Sequence, residues 1–514
     1  MSLNLKSAMV RCGFVALLFF LLACQRETSA DFSHGEPEYL QVGDEYLEIA
    51  TVAQGLEVPW GMGLFENQLL FTEIGGQVKS LNLNNGQMKT ILVLPDVFTR
   101  TTPGLLDLVV QQQKEKPYVF LHYTRKQDSL VVSTLMRYTY DGQELIDPKE
   151  LLQIKGALGH NGGRLLLDDD LLYWATGDAA DNTQAQDSTT LNGKILRMHL
   201  DGSIPTDNPI PGSYVYAWGF RNIQGFTMTP EGDLYSAEHG DAIEDEVNWV
   251  RPLHNYGWPL IEGLHDTPEE EAVEGIERMS EPIRSWTPVI APAGMAYYGS
   301  DAISQWKGSL LLVTLKSQSF RVLSLDQAGH QIRSERVYFS NRYGRIRTVI
   351  AAPNGDIYFS TSNQDWNPQP GFPLPQDDRI IRLRKTSAAP QHAIQQDANG
   401  EDILAANDGA VLYKNFCASC HQLDGQGVPE VFPALQQSVL AQDGDQFARL
   451  LLTGTAGRGK ASDGIAYPQD MASFDFLNDQ QLSAIINYVN SEFLKTQPIS
   501  APQVNAQRDE IKSQ

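Results

Sequence analysis

The sequence predicts an all-β propeller of six blades followed by a small all-α domain, on three observations. From about Glu45, short apolar runs recur, broken by Gly, Asn and Asp, with few long helical periods. The runs group into six units of similar build. Beyond residue 401 the texture becomes helical around the motif Cys417-Ala418-Ser419-Cys420-His421.

Each unit reads as an apolar strand, a polar turn, a second apolar strand ending in a small or acidic residue, then another strand. The units span 61–93, 105–145, 163–200, 225–250, 294–325 and 347–383. Units of about 40–50 residues with four strands are propeller blades. Their turns, among them Asn84-Asn85-Gly86, Asp141-Gly142 and Asn354-Gly355-Asp356, use residues that tolerate φ > 0. Residues 45–52 offer an early strand to close the ring against the last blade. A β-sandwich, or a pair of them, is the competing architecture.

The chain begins with a secretory signal pattern. Lys6 and Arg11 precede an apolar stretch at 13–22, shorter than the ~20 residues of a spanning helix. It ends in Leu21-Leu22-Ala23-Cys24, which resembles the bacterial lipobox. That resemblance implies removal of residues 1–23 and lipidation of Cys24; the alternative is an ordinary signal peptide with an incidental cysteine. Gln25 does not resemble an inner-membrane retention signal. The expectation is a lipoprotein of the bacterial cell envelope facing the periplasm, with the outer membrane favoured. Residues 24–44, polar with Gly and Glu, read as a tether. The propeller is expected over 45–385, a linker over 386–401, the second domain over 402–496, and a frayed polar tail over 497–514. The formal charge of −24 argues against nucleic acid and against a polybasic membrane patch.

Cys-x-x-Cys-His is the c-type haem attachment signal. Cys417 and Cys420 would bond the haem covalently and His421 would be its proximal ligand. Met471, the sole methionine after Met295, is the expected sixth ligand, completing the His/Met set of a cytochrome c domain. A redox dithiol or half a zinc site is the alternative, but neither a βαβ pattern nor a second ligand pair accompanies the motif. Helices are expected over 402–416 and 479–493. The second would be capped by Asn478, with Leu482, Ile485, Ile486, Val489 and Phe493 as its apolar stripe.

Three polar clusters fall between the strands. Gly159-His160-Asn161-Gly162-Gly163 holds a histidine able to act as a base at neutral pH; a surface-loop histidine reads equally well. Glu238-His239-Gly240-Asp241 and Asp245-Glu246-Val247-Asn248 offer hard oxygen ligands suited to Ca²⁺, or else a metal-free acidic loop. Lys316, Arg345 and Arg347 could hold a polyanion, or form a solvated basic edge.

The order His160-x-Gly-Gly-Arg-Leu, Asn192-Gly193-Lys194, Arg221-Asn222-x-Gln-Gly, Glu238-His239-Gly240, Asp245-Glu246-Val247-Asn248, Asn255-Tyr256-Gly257-Trp258-Pro259 and Arg345-x-Arg347 resembles the soluble quinoprotein sugar dehydrogenases, the glucose/sorbosone or aldose sugar dehydrogenases. The resemblance runs from about Pro59 to Leu383 and implies a six-bladed propeller that binds pyrroloquinoline quinone (PQQ) and Ca²⁺. His160 matches the general base acting on the sugar C1 hydroxyl. Arg221 and Asn222 match quinone-contacting residues. Gly240 and Asp241 match the pair whose carbonyls bind calcium. Lys316, Arg345 and Arg347 match the cations that hold the quinone carboxylates. Glu246 and Tyr256 match a second, structural calcium of some aldose members. One departure stands out: Thr102 occupies the place of the family glutamine that touches quinone and substrate.

The resemblance and the haem motif together imply a dehydrogenase that oxidises an aldose at PQQ and passes electrons to its own haem c, then to an external acceptor. The alternatives are the same chemistry on a non-sugar alcohol or aldehyde, and a non-catalytic sugar- or partner-binding propeller with an electron-carrier cytochrome.

Overall fold

A computed structural model describes residues 34–112, 116–388, 390–397, 407–429, 431–455, 467 and 471–512. The signal-like segment and Cys24 lie outside the described residues, as do residues 468–470 before Met471.

Six antiparallel sheets form the propeller. Their first strands are Pro59–Phe65, Leu105–Val110, Arg164–Asp168, Ile223–Met228, Pro292–Tyr298 and Ile346–Ala351. Each neighbours the next, and the ring closes where Ile346–Ala351 meets Pro59–Phe65. These inner strands approach closely. A Cβ added to Gly294 would lie 2.5 Å from Thr348 Cα on the adjoining blade, so only glycine fits there. The expected units stop before the fourth strand of blades two to five. Those strands, Leu145–Lys155, Val215–Trp218, Arg284–Trp286 and Ile332–Tyr338, begin at or beyond the expected ends.

The sixth blade is composite. Its strand order is His34–Val42, Glu45–Ala53, Ile380–Thr386, Ile357–Thr361, Ile346–Ala351. Glu45–Ala53 pairs with Ile380–Thr386, Ile49 opposite Leu383, as the ring-closing expectation required. The tether expectation is corrected: His34–Val42 is a fifth strand, with Leu40 opposite Leu47. Leu40 and Val42 are fully buried, and Ile394 of the expected linker bridges Leu40.

The core is divided among the blade boundaries rather than gathered at one centre. Leu70, Val78, Leu108 and Leu121 pack between blades one and two, and Trp174, Leu196, Phe120 and Leu135 between two and three. Trp306, Phe320, Phe359 and Ile357 pack between five and six. Each sheet thus buries both faces, apolar residues alternating across it.

The second domain has its own core of Leu412, Phe447, Leu451, Leu482, Ile485 and Ile486. Its first helix is Gly409–Phe416, capped by Asp408; residues 401–406 lie outside the described set. Asn478 caps Asp479–Val489 in a capping box with Gln481, as expected. A wider turn, Asn490–Leu494, follows. The two helices cross at Gly409, where a Cβ would lie 2.2 Å from the Ala484 carbonyl oxygen. The frayed-tail expectation is also corrected. Ala501–Lys512 is a helix with Val504 fully buried, and it packs on Gly444–Thr453 and Asp479–Val489. Arg508 anchors it, donating to Asp479, Asp475 O and Leu477 O.

Candidate active site

His160 lies in the loop between blades two and three, its backbone in the left-handed region at φ 50°. A non-glycine residue held there is sterically costly and frequent at functional sites. Its Nδ1 is 2.8 Å from Asp178 Oδ1. Asp178 follows the strand Leu171–Ala175. Its Oδ2 accepts from Trp258 Nε1 at 2.8 Å and its Oδ1 from Ala180 N. Burial pushes the Asp178 carboxyl up, but His160, Arg221 and Trp258 more than offset this, and it titrates below the usual carboxylate value. Asp178 was not singled out in the sequence. Its signal was the acidic residue ending the second strand of a blade, here in Ala175-Thr176-Gly177-Asp178.

Arg345 and Arg347 flank Ile346 at the start of the innermost strand of blade six, and both donate to Asp365 Oδ2, at 3.2 and 2.5 Å. Burial lowers Arg347 to about 10. Burial also raises Asp365, but the two guanidiniums outweigh it and hold the carboxyl below its ordinary value. Arg221 Nη2 donates to Asp241 at 2.7 Å, and its guanidinium lies 5.2 Å over the Trp258 ring. The Nε atoms of Arg221 and Arg345 are buried without partners. Asn222 Oδ1 accepts from Gly162 N and Gln224 Nε2. The Lys316 ammonium, lowered by burial, donates to the Asn415 carbonyl of the second domain.

These residues meet at one cavity of about 510 Å³, walled by His160, Arg221, Asn222, Lys316, Arg345 and Arg347, with Gly240, Asp241 and Thr102 also in its lining. Four cations, Arg221, Lys316, Arg345 and Arg347, two of them with unpartnered buried nitrogens, suit a ligand with several carboxylates, so the residues fit PQQ. Thr102 Oγ1 donates to Leu158 O at 3.0 Å, so its donor is engaged. Among the described residues no donor reaches the carbonyl oxygens of Gly240 or Asp241, which suits a hard cation. No group of three or more His, Cys, Asp or Glu side chains stands ready for a metal among the described residues; a calcium here would rest on main-chain oxygens.

Glu246 and Tyr256 are not brought to this cavity. Glu246 is buried, accepting from Gly263 N and Asn248 Nδ2. Burial and the nearby Glu238 carboxyl push it well above its ordinary value. The Tyr256 hydroxyl is occupied by Trp249 O and Arg251 N, and its ring stacks on Phe220 at 4.6 Å.

A second cavity, about 230 Å³, is lined by Cys417, Cys420, His421 and Met471 with Phe416, Leu451 and Ile485. Both thiols are free. His421 Nδ1 lies 3.0 Å from Pro433 O; the bond places the proton on Nδ1 and leaves Nε2 for a metal. Burial lowers His421, favouring the neutral ring that ligates iron. Met471 is pinned by Thr455, which it contacts through both main-chain groups. The residues fit haem c. Cys417 to His421 form one helical turn, because the His421 and Cys420 amides both donate to Cys417 O.

The two cavities share walls. Arg221, Asp241, Val289 and Lys316 of the propeller and Ser419, Cys420 and Phe432 of the second domain line both. Asn367 Nδ2 donates to Ser419 O at 3.4 Å, Trp366 and Phe432 lie 6.0 Å apart, and Ala242 joins the second domain's core.

Comparison with known proteins agrees with both halves. Residues 56–367 match the family described as Glucose / Sorbosone dehydrogenase, and residues 406–492 match Cytochrome c. The chain is 29% identical over 338 residues to aldose sugar dehydrogenase YliI of Escherichia coli, covering 61% of this chain and 90% of the relative. It is 26% identical over 449 residues to quinoprotein glucose dehydrogenase B of Acinetobacter calcoaceticus, covering 69% and 93%. The PQQ-bound aldose sugar dehydrogenase of Streptomyces coelicolor superposes with a TM-score of 0.58 at 29% identity, covering 70% of this chain and all of that one.

Proposed function

The chain belongs to the glucose/sorbosone dehydrogenase family and carries a cytochrome c domain behind the family domain, and from that premise we propose that it is a quinohaemoprotein oxidising the C1 hydroxyl of aldoses to lactones. Bound PQQ supplies a two-electron acceptor for the substrate's hydride, and haem c a one-electron relay to an external acceptor. The chain's own residues do the rest. His160 takes the hydroxyl proton. Asp178 fixes its ring, accepting at Nδ1 so that Nε2 is the basic nitrogen. Lys316, Arg345 and Arg347 would hold the quinone carboxylates, and Arg221 and Asn222 would contact the quinone. The carbonyls of Gly240 and Asp241 would hold a polarising Ca²⁺. Lipidation at Cys24 would anchor the protein in the cell envelope, facing the periplasm and favouring the outer membrane.

The observation that carries this reading is the shared wall between the His160 cavity and the Cys420 cavity. The test is the visible spectrum of the haem-loaded protein as aldoses are added. Haem reduction should require PQQ, Ca²⁺ and sugar together, and His160→Ala should abolish it. Thr102 favours a second reading. With its hydroxyl engaged by Leu158 O, no long amide stands at that point of the propeller, which would suit a non-sugar alcohol or aldehyde. Haem reduced by such substrates but by no aldose would select it.

A further inference from the structure

The cavity that holds His160 is only half built by the propeller. Its remaining wall comes from the haem-bearing domain, through Gln422, Leu423, Asp424, Gln426, Val431 and Phe432. The two halves differ in chemistry. The propeller half carries Arg221, Lys316, Arg345 and Arg347, cations suited to a polyanionic cofactor. The cytochrome half contributes one cation, Lys414, and one anion, Asp424, among the described lining residues. Among the described residues the two charges cancel, so this wall offers an ionic ligand no surplus of either sign.

What it offers instead is amides and aromatic surface. Gln422 stands in the left-handed region at φ 61°, next to His421, and its Nε2 is buried with no partner. A buried amide hydrogen with no acceptor is costly, and a ligand oxygen can relieve it. Gln426 is exposed, and among the described residues its side-chain amide makes no hydrogen bond within the loop. Asp424 holds the turn by accepting from Gln426 N at 3.0 Å, which leaves its second carboxylate oxygen for a hydroxyl. Across the junction, Trp366 of the propeller faces Phe432 at 6.0 Å and 30°. Polar groups that give and take hydrogen bonds, beside aromatic faces, match a neutral polyhydroxylated ring.

We propose that residues 422–427 together with Val431 and Phe432 of the cytochrome domain form the outer half of the substrate site, so that a small neutral aldose is bound between the two domains and the haem-bearing domain helps to choose it. The inference rests on the dehydrogenase reading and adds the residues that set its substrate class. It also answers the departure at Thr102. Where the propeller has a short side chain whose donor is engaged, the second domain brings amides to the same cavity.

The test uses the full haem-loaded protein with PQQ and two exposed positions, Gln426→Ala and Asp424→Asn; the second keeps an oxygen for the Gln426 amide. Turnover is followed with a dye that accepts electrons directly from the quinone, so haem transfer does not enter the rate. Aldose binding is measured separately by calorimetry in a His160→Ala background, where nothing turns over. Gln426→Ala should raise both KM and the calorimetric Kd about tenfold, the worth of one hydrogen bond, and Asp424→Asn somewhat less. The loss should fall on KM rather than kcat, with the PQQ affinity and haem spectrum unaltered. A uronic acid should bind no tighter than the corresponding neutral aldose. Wild-type KM and Kd in both variants would overturn the inference while leaving the dehydrogenase reading standing. So would a uronic acid bound tenfold tighter than its aldose, because the wall would then be selecting charge. If no aldose reduces the dye in the wild type despite bound PQQ, the dehydrogenase reading fails and this substrate assignment falls with it.

Discussion

His160 Nδ1 lies 2.8 Å from Asp178 Oδ1, and the other oxygen of that carboxylate is held by the Trp258 indole. A carboxylate in this position accepts only, so it selects the tautomer that leaves Nε2 basic. Asp178→Asn replaces an acceptor with an amide that can donate to Nδ1 and reverse the tautomer. The expected result is a fall in kcat of about 10²–10⁴ with PQQ affinity retained, read by steady-state kinetics beside cofactor titration.

The same carboxyl predicts an acid-side effect on stability. Its folded value lies below the ordinary 3.8, because His160, Arg221 and Trp258 outweigh the burial that opposes them. A carboxyl depressed in this way stabilises fully above its unfolded value, and the contribution is lost as pH falls through the folded one. The urea midpoint of wild type should therefore exceed that of Asp178→Asn by a constant amount above about pH 4. Below that, the gap should narrow. A gap that widens on acidification would contradict the assignment.

Asp365 is the counter-charge for Arg345 and Arg347 before any cofactor arrives. Removing one partner of a buried ion pair costs on the order of 3–5 kcal/mol, so Asp365→Ala should melt well below wild type. The quinone carboxylates would supply the missing charge. Added PQQ should accordingly raise the melting temperature of Asp365→Ala more than that of wild type, as differential scanning calorimetry can show.

Met471 and His421 line one pocket with both motif cysteines. Met471→Ala should leave the haem covalently attached, since Cys417 and Cys420 carry it, yet lower its reduction potential. Potentiometric titration followed in the visible spectrum measures this directly.

Arg508 joins the last helix to Asp479 and to two carbonyls at the foot of Asp479–Val489. Arg508→Ala should cost about 1–2 kcal/mol, the worth of charge-assisted bonds that are partly exposed. Truncation before Ala501 should cost more, because Val504 adds about 1.5–3 kcal/mol of burial. Chemical denaturation monitored at the haem reports both.

The blades were legible because every boundary between them repeats one alternation of buried and turn residues, and the haem motif because two attaching cysteines and one ligating histidine sit within five positions. Asp178 was not, since a lone Asp after a strand looks like any turn residue; only its distance from His160 gives it meaning. His34–Val42 read as a tether because its first residues are charged or small and only Leu40 and Val42 are fully buried. Ala501–Lys512 read as frayed for a similar reason, Val504 being its only fully buried side chain while a single arginine makes the polar anchor. The placing of the haem domain over the cavity has no local signature at all. It depends on contacts such as Asn367 with Ser419, between residues that no periodicity links.

The pairing of Glu45–Ala53 with Ile380–Thr386 also sets a schedule. A ribosome making this chain delivers the first of these strands long before its partner, so the ring has an open seam for most of synthesis. Bringing such distant segments together carries one of the larger loop-closure costs in the molecule. Until it forms, the inner strand of blade one has no neighbour on its blade-six side, and its bare flank is a target for association with other unfinished chains. The haem domain is synthesised only after that seam can shut. By the time Cys417 and Cys420 are made, every propeller strand of the surface they lie against has already been synthesised.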